Sequence, residues 1–359
     1  MPESYAFCLF ACAVGEHFDR LSFFGRAGEA EELLPRGPEL VPLPFYPSLR
    51  HLPALARALR GVDRVLEEAL GRVDVLWVFG PHPVALRIVR LARARGKPVV
   101  LGVRQDTPRY FRTRLPSRAW TPALVPALAL DRAWRRLSRR VPTTAVGDEL
   151  AARFGGPAPT LAIVASVIRD ADVVDAVPER DWSGAVELLA VGRIDEEKNP
   201  LLLVEALARL PERFRLRWAG SGPLESAVRA RAAELGVSGR LQLLGFVPFG
   251  PELLDLYRGS HAFVHVALTE GVPSAVVEAA ASGLPSVATD VGGVRRAIGV
   301  AALLVPPRDA GAIAAAVLRL AEEQPLRRGL AERGLELARG LTVEAQSKLA
   351  ADFLAAAVP

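Results

Sequence analysis

The chain reads as a two-lobed α/β protein built on parallel sheets. Three observations carry that reading. Short apolar runs alternate with helix-like patterns almost from end to end, the pattern occurs twice, and an interruption separates the two copies. In the first half, Tyr5–Ala11, Asp74–Phe79, Pro98–Val103, Pro142–Val146 and Thr160–Val164 are expected as buried strands. Helices are expected over Leu52–Leu70 and Pro83–Arg95. In the second half, strands are expected at Val186–Val191, Phe214–Ala219, Leu241–Leu244, Ala262–Val266, Ser286–Ala288 and Ala302–Val305. Helices separate them, and three more follow from Asp309 to Ala357. Apolar runs without polar alternation fit strands covered by helices on both faces.

The interruption lies at Asp170–Gly184, where Pro178, Asp181 and Gly184 break the pattern. It divides the chain into an N-terminal domain over 1–169, a C-terminal domain over 170–341 and a closing helix over 342–359. Helix starts are marked in the second half. Asn199-Pro200 and Gly222-Pro223 read as caps followed by first-turn prolines, and Asp309 reads as the cap of Ala310–Glu323. Loops between these strands and helices lie at the carboxyl edge of the sheet, where open parallel sheets bind ligands.

Composition narrows the class. Half of the 359 residues are hydrophobic and 24% are charged, as in soluble globular proteins. Cys8 and Cys12 are the only cysteines, so no disulfide framework is expected and a reducing cytoplasm fits; both are expected as buried thiols. Five scattered histidines do not supply an evident metal site. Met1-Pro-Glu-Ser lacks a basic n-region, so no secretory leader is expected, and no apolar run reaches the length of a membrane span. Net charge is +5, carried by arginine: Lys97, Lys198 and Lys348 are the only lysines, which makes Lys198 conspicuous.

Charge and glycine cluster in the second half. Arg193 and Lys198 flank a loop between a strand and a helix; a guanidinium fork and an ammonium both suit phosphate oxygens. The same loop holds Asp195, Glu196 and Glu197, which could simply balance them. Gly220-Ser-Gly222 forms a second loop where backbone can approach a ligand. Glu270 precedes Gly271-Val272-Pro273 and a helix start whose amides favour negative charge, and Glu278 in that helix is a candidate acceptor for ribose hydroxyls. His265, in an apolar strand, reads as a satisfied core residue, and His82 as a structural hydrogen-bonder.

Taken in order, Val191-Gly192-Arg193, Lys198, Gly220-Ser-Gly222-Pro223, Leu244-Gly245, the run from Glu270 to Ala279 and the run from Gly283 to Gly293 resemble the large GT-B glycosyltransferase family often called family 4. The resemblance covers about Leu188 to Ala357 by motif and the first half by fold. It implies two Rossmann-like domains facing a cleft and a retaining, metal-independent transfer of sugar from a nucleotide-diphosphate-sugar. The acceptor would be a hydroxyl of a glycan, a lipid or a small molecule. Arg193 and Lys198 would hold the diphosphate, and Glu270, with the amides of Gly271 and Val272, would meet the donor sugar. Gly192, Gly220, Gly222 and Pro273 would shape the donor loops. Glu278 would bind the ribose, and Gly245, Phe246 and Val247 would lie near the base. No cofactor beyond the donor is implied, and the last helix would cross back to the first domain.

Departures fall on the acceptor side. Arg296 stands where the family usually has an acid, and Ala267 where it often has serine. Arg104-Gln105-Asp106 replaces a common histidine, and the first glycine-rich loop is reduced to Val14-Gly15-Glu16. Arg104 and Asp106 are therefore acceptor-side candidates, equally compatible with a surface ion pair. Between 104 and 140, ten arginines face two aspartates with Trp120 and Trp134 interleaved, which makes an anionic membrane surface a candidate partner; nucleic acid lacks a reader motif. Rival readings are a sugar-nucleotide epimerase, a phosphorylase, or a non-catalytic donor-binding subunit.

Overall fold

The computed structural model describes residues 3–26, 38–49, 51–112 and 124–358. Two compact units emerge: Pro2–Ala165 together with Gln346–Pro359, and Ser166–Ala345.

The first unit opens with helix α1 (Glu3–Gly15), then strands β1 (Ser22–Arg26) and β2 (Glu39–Leu43), which pair parallel to each other as a small separate sheet. Helix α2 (Leu52–Ala69), β3 (Leu76–Gly80), α3 (Pro83–Ala94), β4 (Val99–Val103), α4 (Thr107–Arg112), α5 (Val125–Ser138), β5 (Thr143–Val146), α6 (Asp148–Phe154) and β6 (Thr160–Ile163) follow. Strands β3 to β6 lie side by side in chain order, all parallel. Leu76 and Val78 of β3 share a core with Val62 and Leu66 of α2 and with Val84, Ile88 and Val89 of α3. On the other face, Phe7 of α1 meets Trp77 and Phe79 at ring-centroid distances of 6.1 and 4.8 Å. A fully buried side chain of the first core, such as Leu66, contributes about 1.5–3 kcal/mol of transfer free energy.

Three expectations for this unit are corrected. Tyr5–Ala11 is helix, not strand. An apolar run does not itself distinguish the two, and this one holds two alanines, a leucine and no β-branched residue, which favours helix. Val14-Gly15-Glu16 is consequently the end of α1 rather than a loop after a strand. Cys8 and Cys12 are free thiols of intermediate exposure, not fully buried. The basic stretch also resolves differently. Trp134 is fully buried behind α5, so it is core, whereas Arg114, Arg118 and Trp120 lie outside the described residues.

The second unit begins with β7 (Val186–Val191), α7 (Pro200–Ala208), β8 (Phe214–Ala219), α8 (Glu225–Glu234), β9 (Leu241–Gly245), α9 (Pro251–Arg258) and β10 (Ala262–His265). It continues with α10 (Ser274–Ala281), β11 (Ser286–Thr289), α11 (Val294–Ile298), β12 (Ala302–Val305), α12 (Ala310–Glu322), α13 (Gln324–Arg339) and the first turn of α14 (Val343–Ala355). Its six strands are parallel, in the order β12-β11-β10-β7-β8-β9. The period-two alternation of a strand sorts their side chains. Val186, Leu188 and Ala190 join one core with α7, α8 and α12, and Leu189 joins the opposite core with Phe263, Val276 and Val277.

Helix α14 leaves the second unit at Ala345, and Gln346–Pro359 clusters with the first. There the Gln346 carbonyl accepts the Val164 N–H at 2.8 Å, and His17 meets Ser347 at 3.3 Å. Among the described residues, no helix is long and apolar enough to cross a membrane.

Candidate active site

Strand order reverses beside β7: β8 and β9 extend one way, and β10, β11 and β12 the other. Loops leaving β7 and β10 therefore diverge at their carboxyl ends and open a crevice, the usual ligand position in such sheets. Lys198 lies on the first loop and Glu270 on the second, and their side chains meet at 2.5 Å. A backbone bond from Leu268 N–H to Glu197 C=O, 2.8 Å, ties the two loops together.

The β7 loop is built to hold Lys198 in place. Asp195 accepts the Lys198 N–H at 3.1 Å. Asn199 then turns left-handed at φ 48° and Pro200 starts α7. Asn199 occupies the cap position, but its side chain makes no capping bond. Two glycine pairs fix these loops. A Cβ on Gly220 would sit 1.9 Å from the Gly192 carbonyl oxygen, and one on Gly222 would sit 2.4 Å from that of Ile194. Gly292 and Gly293 abut the Glu270 and Gly271 carbonyls in the same way. The glycines thus let loop pack on loop within the protein. Helix α8 starts at Glu225 rather than at Pro223, and the Gly222 N–H is held by Glu225 at 3.0 Å.

Glu270 is the electrostatic centre of the site. Its Oε2 also meets His265 Nε2 at 3.2 Å, and its Oε1 accepts the Gly271 N–H at 3.3 Å. Burial pushes its pKa up, but the Lys198 charge and the His265 hydrogen bond outweigh that and hold it at about 2. His265 is itself buried; desolvation lowers its pKa against the opposing pull of Glu270. It is therefore a neutral ring that donates from Nε2 to the carboxylate. Arg193 is half-exposed and pairs with Asp195 at 3.3 Å and Glu197 at 2.9 Å.

Glu278 lies on α10, fully inside: Tyr257 of α9 donates to its Oε2 at 2.8 Å. Burial raises the pKa of both groups, well above 10 for the phenol. Gly271 is exposed, Val272 partly buried and Pro273 buried at the start of α10. Gly245, at φ 75°, receives the Gly220 N–H at 2.7 Å, Phe246 projects into solvent and Val247 packs beside the Phe263 core.

In the first unit, Arg104 stacks on Phe7 at 4.1 Å. Asp106 accepts the Arg109 N–H at 3.0 Å and pairs with Arg153, which also bonds the buried Asp131 at 2.8 Å. His82 caps α3, accepting the Val84 N–H at 3.2 Å, and meets Tyr46 at 3.0 Å.

Sequence reasoning assigned no site role to His265 or Tyr257. For His265 a signal existed: a histidine at the last position of a strand, at the ligand edge, five residues before an acid. For Tyr257 none did, because its partner is 21 residues away on another helix.

The fold and site define a parallel α/β protein with its charged cluster at a topological switch point. The family described as glycosyl transferases group 1 matches residues 185–323. A phosphatidyl-myo-inositol mannosyltransferase of Mycolicibacterium smegmatis is 28% identical over 84% of this chain and 75% of its own length. An O-antigen chain mannosyltransferase B of Escherichia coli is 30% identical over 45% of this chain, and the match spans 43% of that protein. Among solved structures, Anabaena Alr3699/HepE in complex with UDP superposes with a TM-score of 0.71 at 18% identity, covering 99% of this chain and 97% of that one. Residues 185–323 thus match the glycosyl transferases group 1 family, and the chain shares the fold of that solved structure.

Proposed function

We propose that the chain moves a sugar from a nucleotide-diphosphate-sugar to a hydroxyl of a glycan, lipid or small-molecule acceptor, with retention and without a metal. The observation that carries this reading is the partly buried Lys198–Glu270–His265 cluster at the switch point, with Arg193 on the Lys198 loop. The named activities of the relatives and the UDP bound to Alr3699/HepE support it.

In this reading the donor diphosphate competes with Glu270 for Lys198. Negative charge grows on the leaving phosphate as the glycosidic bond breaks, so a fixed ammonium stabilises the transition state more than the bound donor. Arg193 would exchange its carboxylate partners for phosphate oxygens. Glu270, ionised at neutral pH, would accept hydroxyls of the donor sugar, and His265 would hold that carboxylate in place. Glu278 would turn toward the ribose. Free thiols suit a cytoplasmic site of action.

The experiment is a thermal-shift and turnover screen over UDP-, GDP- and ADP-sugars. A ligand that binds only the folded state raises its Tm by mass action. One donor class is expected to give the largest shift and to be consumed with an acceptor or slowly hydrolysed. A donor interconverted without acceptor would favour an epimerase, and tight binding with no turnover under any acceptor would favour a non-catalytic subunit.

A further inference from the structure

We propose that the groove between α3 and α5 is a second anion site, taking a ligand with two or more phosphate groups. Arg90 and Arg93 of α3 and Arg136, Arg139 and Arg140 at the end of α5 line a cavity of about 990 Å³, over an apolar floor that includes Leu137. No carboxylate lines it.

The charge pattern of these helices is selective. On α3, Arg87 and Arg95 pair with Asp63 and Glu67 of α2. On α5, Arg135 pairs with Asp131. The five groove arginines have no acidic partner among the described residues. Carboxylates neutralise the neighbouring faces and are missing here, so five like charges share one concavity and repel each other until an anion enters. Guanidinium forks bind phosphate oxygens in pairs.

The groove is also built rather than accidental. Ser138 pins the end of α5 through its hydroxyl to the Phe154 carbonyl at 2.7 Å. The stem of Arg139 lies against Gly156, where an added Cβ would come within 3.1 Å of it. The lining comes from the ends of α3 and α5 and from Pro157, the segments that run into β4, β5 and β6. It therefore lies at the amino edge of the four-stranded sheet, opposite the carboxyl edge where Arg104 and Asp106 stand. The inference does not rest on the transferase reading.

The test is titration with inorganic tripolyphosphate at low salt, alongside co-sedimentation with vesicles of phosphatidylcholine and cardiolipin, whose headgroup carries two phosphates. The proteins are the full chain with Lys198→Ala, the same with Arg93→Ser/Arg136→Ser/Arg139→Ser added, and the same with Arg57→Ser/Arg60→Ser/Arg64→Ser added, which removes equal charge from the exposed face of α2. Circular dichroism checks that each folds. In the Lys198→Ala background, which weakens anion binding at the switch-point site, the intact groove and the α2 triple substitution are expected to bind alike, and the groove triple substitution at least about tenfold more weakly. Loss confined to tripolyphosphate identifies a free anion, and loss confined to vesicles identifies a lipid headgroup. Lys198→Ala protein that binds neither, or groove and α2 triple substitutions that bind equally, would overturn the proposal.

Discussion

Lys198 and Glu270 sit 72 positions apart and still form a partly buried pair, so each is visible in the sequence only through its surroundings. Lys198 stood out because lysine is rare and follows a strand, and Glu270 because glycine and proline follow it. Their contact with His265 could not be read, because it depends on which strand lies beside β7. His265→Phe removes a donor from a buried carboxylate; kcat is expected to fall on the order of tenfold, with a smaller change in donor KM. His265→Gln, which keeps a donor, should recover part of the loss. The same residue sets a pH dependence. The folded protein holds His265 neutral below its ordinary pKa of 6.5, while the unfolded chain takes up that proton. Stability is therefore lost as pH falls through 6.5, and the Glu270 contribution follows between 4.5 and about 2. Urea midpoints at pH 7.5 and 5.5 should differ less in His265→Gln than in the wild type.

Elements of the second unit were the most legible. Strands β7, β8 and β12 fall on the expected residues: β7 and β12 are mostly apolar runs, and β8 alternates apolar residues with Arg215 and Arg217. Helix α1 was misread for the opposite reason: its run is apolar on all sides and has no internal period. Strand β1, with its exposed Gly25-Arg26 end, carried no strand signal strong enough to find. The glycine loops were legible as loops, and their packing on neighbouring backbone was not, because it depends on which loop lies beside which. Gly220→Ala tests this. Its φ of 151° and the 1.9 Å approach of its would-be Cβ to the Gly192 oxygen leave no relaxed geometry. Chemical denaturation should show a loss of about 2–4 kcal/mol. Gly239→Ala, where nothing lies within 4 Å, should cost far less.

At the scale of the whole molecule, two parallel sheets carry different duties. The six-stranded sheet reverses its order beside β7 and gathers the cations and carboxylates there, whereas β3 to β6 run in one direction without a reversal. This difference explains why the loops of the six-stranded sheet carried a readable motif and those of the four-stranded sheet did not. A switch point concentrates motif residues on two adjacent loops, and a sheet without one spreads them. Arg104 stacks on Phe7, and Asp106 forms an ion pair with Arg153 and accepts the Arg109 N–H. The central claim is that the Lys198 ammonium stabilises charge on a departing diphosphate. Its most direct test is steady-state transfer by Lys198→Ala with the donor found in the screen. The account predicts a fall in kcat of about 10²–10³ with the fold intact; a variant that turns over at the wild-type rate would contradict it.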